Sequence, residues 1–133
     1  MSDNKSIFVI DDDAIFVFVL KKLFLKMENN TPLETFSNGY LAIEVLKEKF
    51  SKNEKLPDII FLDINMPMLD GWQFLDEVEL LPFGDSLNVY VTSSTIDSTE
   101  IEKVSLYKTV REFVSKPISL DGFTLFIICF IKH

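Results

Sequence analysis

Several residue types are scarce in this sequence, and each scarcity narrows the kind of protein that is expected. The 133 residues include one cysteine, Cys129, so the chain cannot form an internal disulfide, which suits a reducing compartment. The one histidine, His133, stands alone and is not expected to be a catalytic or metal residue. The longest apolar runs, Ala14–Leu20 and Leu125–Ile131, fall far below the roughly 20 residues that span a bilayer. Since no charged-then-apolar leader is present either, neither a secretion signal nor a membrane span is expected.

Positive charge is also scarce relative to negative charge. The chain has 13 Lys and Arg residues against 21 Asp and Glu residues, a net charge of −8. Because such a surface repels a phosphate backbone, direct nucleic-acid binding is not expected. The acidic balance suits a magnesium site or a basic protein partner. A length of 133 residues with 47% hydrophobic residues predicts one globular domain over residues 1–133, located in the cytoplasm.

Short apolar blocks alternate with turn signals along the chain. Strands are predicted at Ile7–Ile10, Leu33–Phe36, Ile59–Leu62, Asn88–Val91 and Phe113–Val114. Helices are predicted from Ala14 to about Met27, at Tyr40–Phe50, at Trp72–Leu81, after a start at Asp97, and at Ser119–Lys132. Strands alternating with helices are typical of an α/β fold with a parallel, doubly wound sheet.

Acidic residues follow two of the predicted strands, at the sheet edge where ligands bind in such folds. Asp11 and Asp12 follow the first strand and Asp63 follows the third. If these strands are neighbours, the carboxylates converge, and unit charges roughly 4 Å apart repel by about 4 kcal/mol at an effective dielectric constant near 20. The set therefore predicts a cation, and oxygen ligands suit Mg²⁺. The alternative, that these acids cap the first helix, applies best to Asp13, which is not expected to be a ligand.

Hydrogen-bond donors follow two further predicted strands. Thr92 comes after the fourth strand and supplies a hydroxyl, and Lys116 comes after the fifth and supplies an ammonium group. Acids for a metal, one of them a possible nucleophile, together with a hydroxyl and a lysine are what phosphoryl transfer to a carboxylate requires. Each residue alone is a weak signal, whereas the ordered set at successive strand ends is a strong one.

With this set the sequence resembles the response-regulator receiver domain of two-component and phosphorelay signalling, over essentially the whole chain. The matching segments are Ile7–Asp13, Ile59–Gly71, Val89–Ser93 and Phe113–Pro117. The resemblance implies a flavodoxin-like, five-stranded parallel sheet of strand order 2-1-3-4-5 with helices on both faces. It also implies a signalling domain rather than an enzyme, with only self-phosphorylation and self-dephosphorylation chemistry.

The resemblance also implies roles for the acidic residues. Asp63 would be the phosphoacceptor. Asp11 and Asp12 would hold Mg²⁺ together with Asp63 and the backbone carbonyl of Asn65. Asn65 and Ser94 occupy positions that resemble the family's tuners of phosphoryl lifetime.

Three residues are assigned to the phosphoryl group and the switch by the same resemblance. Thr92 would hydrogen-bond the phosphoryl group, and Lys116 would pair with it. The Lys116–Pro117 bond is expected to be cis. Phe113 takes the place of the family's switch aromatic, and as a phenylalanine it lacks the hydroxyl of a tyrosine. Thr92 and Phe113 are thus the predicted switch.

Two apolar surfaces remain once core faces are assigned. On the first helix, a core face of Phe16, Val19, Leu20, Leu23 and Phe24 leaves Ile15, Val17 and Phe18. The resemblance implies that Ile15 and Phe18 dock a sensor histidine kinase or a histidine phosphotransfer protein, although a more enclosed helix would look the same. On the last helix, the apolar residues Leu125 and Ile128 indicate an interface. The resemblance implies that this interface binds a downstream protein target or forms a phosphorylation-dependent homodimer, although a helix that normally continues would also show this pattern.

Two other functions fit parts of the sequence. A haloacid-dehalogenase-type phosphatase would use Asp11 as nucleophile, but that family needs a later acidic pair, and only Asp121 follows Lys116. It also leaves Asp63 unexplained. A receiver-shaped interaction module that is never phosphorylated is the second alternative, although every expected site residue is present. Whether the chain acts alone or within a larger regulator or hybrid kinase stays open.

Overall fold

The computed structural model describes residues 6–25, 33–65, 71–93 and 97–115, and the structural statements below concern those residues. Five strands lie at Ile7–Ile10 (β1), Leu33–Phe36 (β2), Ile59–Asp63 (β3), Val89–Ser93 (β4) and Val110–Ser115 (β5). The helices described are Ala14–Leu25 (α1), Gly39–Ser51 (α2), Gly71–Leu80 (α3) and Ser98–Val104 (α4), with a short 3-10 turn at Gly84–Ser86.

The strands form one parallel sheet in the order β2-β1-β3-β4-β5. The predicted doubly wound fold and its strand order are therefore confirmed. In the register of the two central strands, Ile10 of β1 lies opposite Leu62 of β3. The carboxyl ends of β1 and β3 consequently lie side by side, which places the residues that follow them at one edge.

Apolar side chains are buried on both faces of the sheet, as expected for parallel strands covered on each side. On one face the core joins β1 and β3 to α1 through Ile7, Val9, Ile59, Phe61, Leu20 and Phe24. On the other face it joins the sheet to α2, α3 and α4, including Phe8, Ile10, Leu46, Phe74, Val78 and Val104. Fully burying each such side chain contributes about 1.5–3 kcal/mol, so these two layers fix the central strands.

The last two strands are longer than their apolar patterns predict. The fourth strand runs to Ser93 rather than Val91, so Thr92 and Ser93 lie within it, and the fifth spans Val110–Ser115 rather than Phe113–Val114. The added residues are held by pairing with the neighbouring strand, since Ser93 pairs with Ser115. Backbone hydrogen bonds of this kind do not depend on apolar side chains, and an edge strand tolerates exposed polar residues.

The core face of α1 includes one residue more than predicted. Leu20 and Phe24 are buried as expected, but Val17, which was assigned to the leftover face, is half-buried against the same core. The correction has a geometric reason, because positions 17, 20 and 24 share a helix face at spacings of three and four. Ile15 and Phe18 remain outside this face and are 77% and 59% exposed.

Several sequence predictions lie outside the described residues. They are Lys116, the Lys116–Pro117 bond, Ser94, and the last helix at Ser119–Lys132 with Leu125 and Ile128. The end of the first helix near Met27 and the side chain of Leu23 lie outside as well. Within the part of the chain that the structure covers, no helix has both the length and the apolar character needed to cross a bilayer.

Candidate functional site

Three carboxylates meet at the carboxyl edge of the sheet, between β1 and β3. One carboxylate oxygen from each of Asp11, Asp12 and Asp63 lies within 4.8 Å of the other two. Asp11 and Asp63 are buried, with 4% and 6% of their surfaces exposed, whereas Asp12 is exposed. The pairing of β1 with β3 explains the convergence, since Asp11 and Asp63 each follow a residue of the Ile10–Leu62 pair.

Local hydrogen bonds orient the two buried carboxylates. Oδ1 of Asp11 accepts a hydrogen bond from the Asp13 N–H at 2.9 Å. Oδ1 of Asp63 accepts one from the Asn65 N–H, also at 2.9 Å. In both cases the donor is two residues further along the chain, which is the geometry of an Asx turn. Each loop therefore holds the carboxylate that precedes it.

The donor set of this cluster fits a hard divalent cation. Three carboxylates with oxygen atoms this close repel one another, and a bound cation relieves the repulsion. Oxygen ligands from one or two carboxylates with remaining water positions suit Mg²⁺. Because Asp12 is exposed, the cluster is open to solvent on one side.

Asp13 has a different role from its neighbours. Its Oδ1 accepts hydrogen bonds from the N–H groups of Ile15 at 3.1 Å and Phe16 at 3.2 Å. These are two of the N–H groups at the start of α1 that have no partner within the helix. Asp13 therefore caps α1. Helix capping was the alternative role considered for the acidic run, and it was expected to apply best to Asp13.

Thr92 lies next to Asp63 in the sheet. The two residues are paired across β3 and β4. The side chain of Thr92 is fully buried, and its hydroxyl donates to the Leu62 carbonyl at 3.3 Å. The hydroxyl expected at this edge is therefore present beside the acid cluster, engaged with the main chain of β3.

Phe113 lies on β5, one position before the residue that pairs with Thr92. It pairs with Val91, is half-buried, and packs on the face of the sheet that carries α2, α3 and α4. Successive residues of a strand point to opposite faces, so Thr92 and Phe113 belong to different faces. The two residues are joined through the pairing of β4 with β5.

Two residues contribute to the site in ways that the sequence patterns did not assign. Ser93 is buried, and its Oγ accepts a hydrogen bond from Nδ2 of Asn65 at 3.0 Å. Gly71 begins α3 with its backbone against the Asp63 carbonyl and the Cα of Ile64, where a Cβ would lie at 2.9 Å and 2.4 Å. A glycine in a turn was a sequence signal for the close approach at Gly71. No spacing in the sequence indicated the hydrogen bond between Asn65 and Ser93.

Two groups on β4 and at the start of α4 have shifted pKa values. Hydrogen bonds from the hydroxyl and the N–H of Thr99 hold the pKa of Asp97, at the start of α4, below its ordinary value. Burial, followed by the nearby charge of Glu112, raises the pKa of Tyr90 on β4. Neither group belongs to the acid cluster.

Known proteins share this fold and sequence pattern. The family model described as the response regulator receiver domain matches residues 7–127. A two-component response regulator from Cytophaga hutchinsonii has a TM-score of 0.81 and 25% identity, covering 99% of this chain and 100% of that chain. A protein-glutamate methylesterase/protein-glutamine glutaminase from Chromobacterium violaceum is 27% identical over 118 residues, which is 88% of this chain and 31% of that protein.

A third relative is the sensor histidine kinase CheAY from Helicobacter pylori, 29% identical over 126 residues, 95% of this chain and 15% of that protein. The chain thus spans less than a third of the length of both curated relatives. Since the family model covers nearly the whole chain and the strand order agrees with the fold it implies, this chain belongs to the response regulator receiver domain family.

Proposed function

We propose that this domain accepts a phosphoryl group on Asp63 from a sensor histidine kinase or a histidine phosphotransfer protein. The phosphorylated form then presents a changed surface to a downstream protein. The observation that carries the proposal is the convergence of the Asp11, Asp12 and Asp63 carboxylates within 4.8 Å at the sheet edge. We also propose that the domain signals rather than acting as an enzyme on a separate substrate, and that it does so in the cytoplasm.

In the proposed reaction, a carboxylate oxygen of Asp63 attacks the phosphorus atom of a phosphohistidine. The O–P bond forms as the P–N bond breaks, and the electron pair of the broken bond goes to the imidazole nitrogen. The ring leaves neutral because its other nitrogen carries a proton. Self-dephosphorylation is the attack of water on the same phosphorus atom, which returns the carboxylate and releases phosphate.

In this proposal, the residues around Asp63 orient its carboxylate and offset the negative charge at the site. The Asn65 N–H holds Oδ1 of Asp63 and so fixes the plane of the carboxylate. Asp11, Asp12, Asp63 and the Asn65 carbonyl would hold Mg²⁺, which when bound offsets the negative charge of the carboxylates and the phosphoryl group. Lys116 is the proposed cationic partner of the phosphoryl group.

Thr92 is the proposed start of the conformational response. Its hydroxyl donates to the Leu62 carbonyl at 3.3 Å, a long and therefore weak hydrogen bond that a phosphoryl oxygen can replace. A hydrogen bond to a charged group contributes about 1.5–3 kcal/mol, so contacts from Thr92 and Lys116 together give roughly 3–6 kcal/mol. Inverting an equilibrium from 1:99 to 99:1 takes about 5.5 kcal/mol, which these contacts can supply.

The partner surface proposed for the histidine-bearing protein is the start of α1. Ile15 and Phe18 are 77% and 59% exposed, and α1 begins directly after the acidic loop. Lys22 lies over the Phe18 ring at 5.2 Å from its centroid. The downstream target or homodimer contact proposed at Leu125 and Ile128 lies outside the described residues and stays a prediction.

The test is intact mass after incubation with a small-molecule phosphodonor, with and without Mg²⁺. We expect the wild type to gain the mass of one phosphoryl group only with Mg²⁺, and Asp63→Ala to gain none. Asp13→Asn is the matched control, because Asp13 is a neighbouring acid that caps α1 and asparagine caps helices equally well. A gain that survives Asp63→Ala, or no gain in the wild type, overturns the proposal and favours a binding module that is never phosphorylated.

A further inference from the structure

A hydrogen bond crosses the site between the ends of β3 and β4. Nδ2 of Asn65 donates to Oγ of Ser93 at 3.0 Å, and the two residues are 28 positions apart in the sequence. The Ser93 side chain is fully buried, whereas Asn65 is exposed. The buried Ser93 side chain is held in place by its surroundings, so this hydrogen bond orients the exposed Asn65 side chain.

Asn65 is held at two points, one on its main chain and one on its side chain. Its N–H donates to Oδ1 of Asp63 at 2.9 Å, and its carboxamide donates to Ser93. The preceding N–H, that of Ile64, donates to the Thr92 carbonyl at 3.2 Å. The Cα of Asn65, from which its carbonyl extends, is thus fixed through both the main chain and the side chain.

We propose that Ser93 is a positioning residue for the phosphoryl-transfer site. It acts through Asn65, holding that residue so that its main chain faces the acid cluster and its carbonyl is available to Mg²⁺. This inference rests on the proposed function, since the Asn65 carbonyl is a proposed ligand there. Ser93 itself touches neither the metal nor the phosphoryl group in this role.

The position of Ser93 also joins it to the proposed switch. It follows Thr92 directly in β4, and both are buried at the end of that strand. When Thr92 shifts toward a phosphoryl group, the adjacent Ser93 transmits the shift to Asn65. The hydrogen bond therefore links the end of β4 to the metal-binding loop after β3.

The first measurement is Mg²⁺ affinity by calorimetric titration with the metal alone. Groups that orient metal ligands typically change metal affinity 10–100-fold when they are removed, so we expect Ser93→Ala to weaken Mg²⁺ binding by about tenfold. Ser93→Thr keeps the hydroxyl and should recover part of the loss. Ser86→Ala is the matched control, because it removes a serine hydroxyl that donates to the Phe83 carbonyl at 2.7 Å, away from the cluster.

The second measurement separates positioning from mere stabilisation of the strand. Asn65→Ala removes the same hydrogen bond from its exposed end, so it should weaken Mg²⁺ binding by a similar factor even if Ser93→Ala folds poorly. If Ser93 acts through Asn65, adding Ser93→Ala to Asn65→Ala should change the affinity less than twofold further. In all these variants the phosphorylation rate should return toward the wild-type value at saturating Mg²⁺.

Three outcomes overturn the inference. They are unchanged Mg²⁺ affinity in Ser93→Ala, a full additional loss of affinity in the double variant, or a phosphorylation defect that saturating Mg²⁺ does not correct. A wild type that binds no Mg²⁺ instead overturns the proposed function, and the inference with it. The titration of the wild type with Mg²⁺ therefore distinguishes a failure of the proposed function from a failure of the inference about Ser93.

Discussion

Gly71 illustrates how closely the site is fitted at the scale of one residue. A Cβ at this position would lie 2.4 Å from the Cα of Ile64 and 2.9 Å from the Asp63 carbonyl. Both neighbours are main-chain atoms, one of them of Asp63, the proposed phosphoacceptor, so they cannot rotate out of the way. The absence of a side chain at Gly71 therefore sets how near α3 approaches the end of β3.

Replacing this glycine should damage both stability and the site. Overpacking of this kind costs about 1–3 kcal/mol, so we expect Gly71→Ala to lower the free energy of unfolding by that amount in urea denaturation. It should also slow phosphorylation by a small-molecule donor under conditions where the variant is folded. Gly84→Ala is the matched control. Gly84 lies beyond the opposite end of α3, and a Cβ there would meet the Val78 carbonyl at 2.2 Å. Equal phosphorylation rates in the two folded variants would contradict a site-specific role for Gly71.

At the scale of elements, side-chain contacts hold α4 and the turn that follows it against α3. Lys103 lies over the Trp72 ring at 4.3 Å from its centroid, and the Tyr107 hydroxyl donates to Oδ1 of Asp76 at 2.6 Å. A helix as short as Ser98–Val104 has little stability by itself. Its position therefore depends on such contacts, and Trp72 reports on them because it is the one tryptophan of the chain.

We expect phosphorylation to shift α4 and thereby to change the fluorescence of Trp72, with Thr92 controlling the size of the change. Thr92→Ala removes a hydrogen bond to the phosphoryl group that is expected to contribute about 1.5–3 kcal/mol. We therefore expect this variant to accept a phosphoryl group, as checked by intact mass, yet show a reduced emission change. Thr92→Ser retains the hydroxyl and should respond like the wild type. A full response in Thr92→Ala would remove Thr92 from the switch.

The start of α4 should respond to pH through Asp97. Its side chain caps the helix by accepting from the Thr99 N–H at 2.9 Å, and hydrogen bonds from Thr99 lower its pKa from 3.8. Because the folded-state pKa is the lower one, its stabilising effect is present above the unfolded value and lost as pH falls through the folded value. Asp97→Asn keeps a capping group that does not titrate. In thermal unfolding, the stability of the wild type relative to Asp97→Asn should fall as pH drops below 3.8, and a constant difference would contradict this.

The elements show which features a sequence reveals and which it hides. β1 and β3 were predictable because their apolar runs are buried on both faces. The meeting of Asp11 with Asp63 was predicted on the condition that these strands are neighbours, which the strand order implied by the family resemblance supplied. The extent of β5 was hidden because pairing with β4, rather than its own pattern, holds its exposed residues. The Asn65–Ser93 hydrogen bond was hidden as well, since it joins residues 28 positions apart and no local spacing predicts it.

At the scale of the whole molecule, the chain has an excess of negative charge, and part of that charge lies in the acid cluster. The chain carries a net charge of −8, and three carboxylates converge at one sheet edge. Without a cation this arrangement costs folding free energy, because the buried Asp11 and Asp63 face each other and Asp12. With the cluster as the proposed Mg²⁺ site, the stability of the molecule should depend on divalent metal.

Thermal unfolding with and without Mg²⁺ at matched ionic strength tests this dependence. A ligand that binds only the folded state at about 100 times its dissociation constant adds about 2.7 kcal/mol, so we expect the wild type to melt several degrees higher with Mg²⁺. Asp12→Asn relieves repulsion and should raise the melting temperature of the metal-free protein. The gain in the free energy of unfolding should be at most about 1 kcal/mol, because solvent screens this exposed group. With Mg²⁺ the order should reverse, because Asp12→Asn has lost a ligand. Asp13→Asn, with the same change in charge at a helix cap, should gain as much from Mg²⁺ as the wild type does. An equal gain in Asp12→Asn would show that the cluster is not the metal site.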